Sequence, residues 1–442
     1  MSSSPPITIF LNRFFHPDHS ATSQILSDLA LELARGGRRI VVITSRQRYE
    51  DTNERLPPRE VINGVEVHRV WTSRFGRSNL VGRAVDYATF YLSATWRLWR
   101  LARKGDVIVA KTDPPMLSIL VAPIAKLRRA KLVNWLQDVF PEVASALGVG
   151  RGRLSRIGYG LLARLRNRSL QSSTYTIAIG ELMAQRIANL GVPREQISVI
   201  PNWADGSLIR PLEVADNPLR RDWKLENTFV VGYSGNLGRA HEYQTFIDAI
   251  TLIEEKALPP LAESHVWGQQ RPVIWLFIGG GAQFERFRRE VISRGLKSVR
   301  FEPYQPRERL SESLSAADVH LVTLRPELEG LIVPSKFYGV AAAGRPTVFI
   351  GDVDGEIARV LRRHECGTSI PEGDGAALAR TLLDLSANPR RGSEMGARAR
   401  AAFEAHYDKR IAVARWNAVL RELEGAARQG ADTNLVSSPP AD

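Results

Sequence analysis

Strand and helix signals alternate along this chain, and they do so twice. ITIFLNRF, from Ile7, is an apolar run of strand length; SQILSDLALELARGG spaces its apolar residues helically and stops at Gly36 and Gly37; RIVVITS is a strand again. The alternation continues through DVIVAKT, the helical PMLSILVAPIAKLRR, KLVNWLQD, and TYTIAIG followed by ELMAQRIANLG. Such a series predicts a parallel sheet with helices on both faces. After SVIPNWAD the stretch PLEVADNPLRRDWKLENT is polar, charged and proline-containing, and reads as an interdomain linker.

FVVGYSGNLG restarts the same grammar. A helix over 243–255, the strand VIWLFIGGG, a helix over 282–294, the strand VRFEPY, a helix over 308–316, and the strands VHLVTL and TVFIG follow, with a helix over 356–363. The expected fold is α/β, with two doubly wound parallel-sheet, Rossmann-like domains and a cleft at the carboxyl ends of their strands. A length of 442 residues suits two cores rather than one. The expected bounds are 1–205 and 206–405, then a helix over 406–425 that packs back on the first domain, and a disordered tail over 426–442.

The formal charge of +13 asks for an anionic partner. No RNP-like, helix-turn-helix or zinc-finger pattern is present, which argues against nucleic acid. The segment 151–168 carries Arg151, Arg153, Arg156, Arg164, Arg166 and Arg168 without an acid, while Leu154, Ile157, Leu161 and Leu165 share one helical side. FYLSATWRLWRLARK mixes Trp96 and Trp99 with Arg97, Arg100 and Arg103. Both fit an amphipathic helix on an anionic membrane surface, and both fit a core helix with a solvated basic face. One cysteine, Cys366, permits no internal disulfide, and MSSSPPITIF lacks the basic and apolar regions of a secretion signal, so a cytoplasmic protein is expected.

Chemistry is expected on the loops that follow strands. In GLIVPSKFYGVAAAGRP, Ser335 reads as an N-cap, Gly344 as the positive-φ residue that ends the helix, and Lys336 as the cation of an anion site. SGNLGRAHE adds Gly235, Asn236, Arg239 and His241 after another strand, and GGG at 279–281 places Gly280 where backbone can approach a ligand. On the amino-terminal side, Arg13, His16, Asp18, His19 and Ser20 follow the first strand, and Asp113 and Asp138 follow later ones. Each acid alone reads as a capping or turn acid, and three of them converging on one cleft would be harder to dismiss. Asp352 and Asp354 in GDVDGE read as a polar turn. Eight histidines include no metal-binding spacing, so no metal is expected, and no enzyme nucleophile stands out.

Taken in order, KTDPP, QDVFPE, IPNWAD, SGNLG, PSKFYGVAAAGRP and CGTSIPEGDGAALARTLLDLSANP resemble a family 4 retaining glycosyltransferase of the GT-B fold, of the colanic-acid type that builds bacterial surface polysaccharides. The resemblance runs from about Ile7 to Leu423. It implies a UDP- or GDP-sugar donor in the carboxyl half and no cofactor. It implies a lipid-linked or glycan acceptor in the amino half, at the inner face of the cell membrane. It also implies catalytic roles for Lys336, Arg239 and Asp138, and donor contacts at Tyr304, Glu329, Gly330, Leu331 and Ser335. Where the family carries a second glutamate this chain has Gly339, Ser20 and Ala21 replace a glycine pair, and Gln137 replaces a histidine. Rival expectations are another GT-B activity, such as a soluble-acceptor transferase or an epimerase, and a silent nucleotide-sugar-binding partner.

Overall fold

The computed structural model describes residues 6–18, 20–48, 55–75, 80–149, 152–258 and 271–436. The chain divides into two compact units. One runs up to Pro201 and resumes at Ala412; the other is Asn202–Ile411.

Among the described residues the first unit holds eight strands: β1 Thr8–Leu11, β2 Ile40–Ser45, β3 Arg59–Ile62, β4 Val65–Val70, β5 Val107–Lys111, β6 Lys131–Trp135, β7 Tyr175–Ala178 and β8 Ile197–Val199. Their order in the sheet is β3-β4-β2-β1-β5-β6-β7-β8, parallel throughout except for the β3/β4 hairpin. That hairpin turns on Asn63 and Gly64, both at positive φ, and is the one element of this sheet that strand-helix alternation does not predict. The central strands are buried on both faces, as continuous runs such as IVVI require. The helix Lys409–Val436 belongs mainly to this unit and closes its core, with Trp416 against Trp135 at 4.8 Å and against Phe10 at 6.2 Å between ring centroids. Arg38 donates to Asn417 at 2.8 Å. This helix runs on past Ala426 to Val436, beyond the expected start of a disordered tail; Ala426, Ala427, Arg428 and Gln429 are strong helix formers. Residues 437–442 lie outside the described residues.

The second unit holds β9 Phe229–Asn236, β10 Val273–Gly280, β11 Val299–Glu302, β12 Val319–Thr323, β13 Thr347–Ile350 and β14 Gly367–Ile370. All are parallel, in the order β11-β10-β9-β12-β13-β14. Tyr233, Phe246, Phe277 and Phe287 interlock in its core. The stretch expected to be a linker is part of this unit. Asn217 caps a short helix, Pro218–Asp222, and Arg220 is fully buried, paired with Asp318 at 3.1 Å and donating to the carbonyls of Leu225 and Thr228. Its charged residues Glu213, Asp216, Arg221, Asp222, Lys224 and Glu226 are exposed, as its composition suggests, while Asn217, Leu219, Arg220, Trp223 and Leu225 are buried and anchor it to the unit.

Candidate functional site

In the six-stranded sheet the strand order reverses beside β9, which has β10 on one side and β12 on the other. Loops leaving β9 and β12 therefore diverge and open a crevice at their carboxyl ends. The loop after β9 is tightly held. Leu237 N–H donates to Gly280 O at 2.7 Å, the Gln283 side chain donates to the carbonyls of Gly238 and His241 at 3.1 and 2.6 Å, and Arg325 N–H donates to Ala240 O at 3.0 Å.

This holding aims His241 at Lys336, across 95 residues of sequence, with Nζ 3.0 Å from Nε2. The other ring nitrogen, Nδ1, lies 2.6 Å from the carbonyl oxygen of Thr323 at the end of β12. A carbonyl only accepts, so Nδ1 carries the hydrogen and Nε2 is the lone pair that accepts from Lys336. Burial, then the charge of Lys336, pushes the His241 pKa down to about 3. Burial alone brings Lys336 down to about 7, and its ammonium lies 5.4 Å from the centre of the Tyr233 ring. Gly235 makes room: at φ 120° it takes a conformation that favours glycine, and a Cβ there would sit 3.1 Å from Lys336 Cε. Among the described residues no carboxylate forms an ion pair with Lys336. The result is a partly buried cation whose charge is not neutralised by protein.

Around this centre the other expected residues divide. Tyr304 is 57% exposed and packs on the end of β10, where a Cβ on Gly280 would lie 3.3 Å from its ring. An exposed ring over glycine backbone can stack a flat group. Glu329 accepts from Glu356 N–H at 2.7 Å, and burial raises its pKa to about 7. Gly330 takes φ 72° beside buried Leu331. Asn236 and Arg239 are exposed, and no bond ties Arg239 to His241 or Lys336. Ser335 departs from expectation: its backbone is already helical, its side chain makes no cap bond, and the helix it precedes, Lys336–Ala342, is seven residues long. Gly344 takes the expected positive φ, 63°. Asp352 accepts from Asp354 N–H at 2.9 Å, as a polar turn should.

In the first unit the order reverses beside β1, between β2 and β5. Arg13 does not wait there for a ligand: it is buried, 3.6 Å from Asp86, with its guanidinium over the rings of Phe14 and Tyr87. Asp18 is a turn acid, accepting from Ser20 N–H at 2.8 Å, and Ser20 makes no side-chain cap. His16 is exposed, with its backbone bonded to Ser27 and Arg69. His19 lies outside the described residues. The acids brought together are Asp113 and Asp138, and the residue between them is one that sequence reading passed over. Lys111, 2% exposed at the end of β5, donates to Thr22 O at 2.7 Å and lies 4.3 Å from the Trp135 ring centre. Asp113 accepts from the Thr22 hydroxyl at 3.2 Å. Burial, then the charge of Asp113, raises Asp138 to about 7, while burial lowers Lys111 to about 7 against the pull of both acids.

The arginine-rich segment forms the helix Arg153–Gln171, with Ile157, Leu161 and Leu165 exposed as the projection predicts. Arg166 is the exception, since it is buried and donates to Phe140 O at 3.0 Å and to Glu142 at 2.5 Å. The helix Leu117–Arg128 lies between this helix and Leu80–Leu101, touching both. It adds exposed Leu120 and Leu127, while Leu80–Leu101 adds Val85, Leu92, Trp96 and Trp99 on one side. Among the described residues no helix is long and apolar enough to cross a membrane.

Residues 21–203 match the family model described as a glycosyl transferase 4-like domain, and residues 216–402 match that of glycosyl transferases group 1. Over 370 residues, 79% of this chain and 84% of the relative, the chain is 29% identical to the probable glycosyltransferase WbjE of Pseudomonas aeruginosa. Over 276 residues, 62% of this chain and 63% of the relative, it is 24% identical to the putative colanic acid biosynthesis glycosyl transferase WcaI of Escherichia coli K12. The solved structure of HepE from Anabaena in complex with UDP shares the fold, with a TM-score of 0.66 at 15% identity over 94% of this chain and 100% of that one.

Proposed function

Because this chain belongs to the family 4-like glycosyltransferases of the GT-B fold, we propose that it moves a sugar from a UDP- or GDP-sugar to a lipid-linked or membrane-proximal glycan in polysaccharide biosynthesis. The observation that carries this reading is the un-neutralised Lys336 cation at the strand-order reversal of the second unit. A diphosphate supplies the missing negative charge, and the exposed Tyr304 ring suits a nucleotide base. The UDP in the HepE structure and the colanic-acid role in the name of WcaI support the same donor and product classes.

The reaction we infer retains configuration. The acceptor hydroxyl oxygen bonds to the anomeric carbon on the face from which the diphosphate leaves; the anomeric carbon–oxygen bond breaks, and the hydroxyl proton passes to the departing phosphate. Lys336 faces the charge that develops on that phosphate, so its contribution grows toward the transition state. This route uses no protein nucleophile and no metal. Incubation of the purified protein with a panel of nucleotide sugars, with and without EDTA, tests it. Donor turnover that survives chelation is expected; turnover restored only by magnesium or manganese overturns the metal-free route, and no turnover or binding with any donor overturns the function.

The acceptor-side unit carries an exposed apolar face built by three helices, with Trp96 63% and Ile157 66% exposed and Arg164 and Arg168 exposed beside it. We infer that this face lies on an anionic bilayer at the inner side of the cell membrane. Each surface arginine contributes about 1 kcal/mol to such binding. Sedimentation with vesicles containing phosphatidylglycerol should fall when Arg164 and Arg168 become glutamine, and fall further when Trp96 becomes serine. Equal binding of wild type and variants removes this face from the membrane contact.

A further inference from the structure

Building on the donor reading above, we infer that His241 is a positioning residue for Lys336 and makes no contact of its own with the donor's diphosphate. The geometry assigns each hydrogen. Thr323 O takes the Nδ1 hydrogen of His241, so the ring presents one lone pair, at Nε2, and Lys336 Nζ fills it at 3.0 Å. An ammonium has three N–H donors; one is committed to His241, which leaves two for oxygens of an anion and fixes their direction. A histidine aimed at a phosphate would instead offer Nε2–H. That would require a second ring proton beside a lysine cation, which the low pKa of His241 opposes.

The support behind the ring is as ordered as the ring itself. Gln283 holds the His241 carbonyl at 2.6 Å, and Tyr233 packs against the imidazole with ring centroids 6.4 Å apart. The titratable groups facing Lys336 among the described residues are His241, on the loop after β9, and Tyr233, on β9. Tyr233 donates its hydroxyl hydrogen to Asn236 O at 3.1 Å, and its ionisation is pushed well above the ordinary range by burial. Neither changes charge between pH 5 and 9. The groups that do are Lys336, Glu329, whose pKa burial also brings to about 7, and the terminal phosphate of the nucleotide itself, so the share that belongs to Lys336 is the part of the pH dependence that Lys336→Ala removes.

Calorimetric titration with UDP and with GDP, from pH 5.5 to 9, tests the assignment on the full-length protein. For whichever nucleotide binds the wild type more tightly, affinity should fall as pH rises through 7, above the ionisation of the nucleotide's own phosphate, and the fall should be smaller in Lys336→Ala, which has no ammonium to lose. In His241→Ala, Lys336 loses its acceptor; affinity should drop about tenfold and the midpoint should move to lower pH. His241→Gln, which can donate to Thr323 O and accept from Lys336, should restore affinity to within about threefold and return the midpoint. In a Lys336→Ala background the histidine should no longer matter, so His241→Ala should add less than twofold.

If His241→Ala costs the same in that background as in the wild type, His241 contacts the nucleotide directly. The positioning role then fails while the donor site stands. If Lys336→Ala leaves affinity and its pH dependence unchanged, the donor reading itself fails, and so does this one. Thermal melts of each variant exclude misfolding as the source of a loss, and a folded His241→Gln that stays as weak as His241→Ala also overturns the assignment.

Discussion

Two lysines stand at the two strand-order reversals of this molecule, and burial brings both to a pKa of about 7. Their surroundings differ in sign. Lys111 is fully enclosed, bonded to a carbonyl, and set among Asp113 and Asp138, whose charges pull its proton back on. Lys336 keeps part of its surface open and meets a neutral imidazole. The charge of Lys111 is already offset by two nearby acids, and its contacts tie the end of β5 to Thr22 O and to the Trp135 ring on β6. Lys336 is not answered, so its charge is available to a ligand. Burial of a cation is therefore a poor guide to function until its counter-charge is identified.

Exchanging the two for methionine breaks the comparison most directly. Lys336→Met should lower kcat/KM for the donor by roughly 3 to 4 kcal/mol, as loss of one preorganised donor does, and leave thermal stability equal or slightly higher. Lys111→Met should do the reverse. It strands two carboxylates and should cost about 2 to 3 kcal/mol in urea unfolding, below the full cost of a broken buried pair because the acids keep some exposure. If Lys336→Met loses stability rather than activity, or Lys111→Met loses neither, the contrast between the two sites is wrong.

A pH series sharpens the same contrast at smaller amplitude. Asp138 holds its proton to about pH 7 in the folded state, whereas an unfolded aspartate releases it near 3.8. The folded state therefore binds more protons between these limits, and this group's contribution to stability is present below pH 4 and lost as pH rises through 7. Lys111 acts in the next window: folded, it has released its proton above about 7 while the unfolded lysine keeps it to 10.5, so stability recovers there. The stability profile of the first unit should show a minimum near pH 7, and Asp138→Asn should remove its descending arm. Urea midpoints from pH 4 to 9 measure it. An unchanged descending arm in the variant would place the titrating group elsewhere.

Much of this arrangement is legible in sequence because it is local. Apolar runs, glycine stops and the order of motifs locate both sheets, since each depends on neighbours within one element. What escapes is pairing across distance. His241 and Lys336 are each visible as a basic residue after a strand, but nothing in either motif says that one is the other's acceptor. Arg13 and Arg166 look available in sequence, yet Asp86 and Glu142 take their charge. Lys111 ends the run VIVAK, whose other members are all buried, and a lysine in that place marks a cation that must find buried partners, though the strand does not say which. The β3/β4 hairpin is legible too: Asn63-Gly64 between alternating apolar residues is a strong turn signal, though it interrupts a series in which helices otherwise separate the strands.

The smallest effect expected concerns the residue that precedes Lys336. A serine before a helix invites the role of N-cap, whose loss costs about 1 kcal/mol. Here the backbone of Ser335 is helical, its hydroxyl accepts no bond from the first turn, and the helix is instead secured by the burial of Phe337, Tyr338, Val340, Ala341 and Ala342. Ser335→Ala should therefore change urea stability by less than about 0.5 kcal/mol, the scale of an ordinary surface substitution. Donor kcat/KM should stay within about twofold, since Lys336 takes its direction from His241 rather than from the cap. A loss near 1 kcal/mol in stability would restore the cap and make the helix start part of the site's support. A loss in kcat/KM at unchanged stability would instead place the Ser335 hydroxyl on the donor, and Lys336 would then share its anion with a neighbour that the apparent division of labour between the two lysines leaves out.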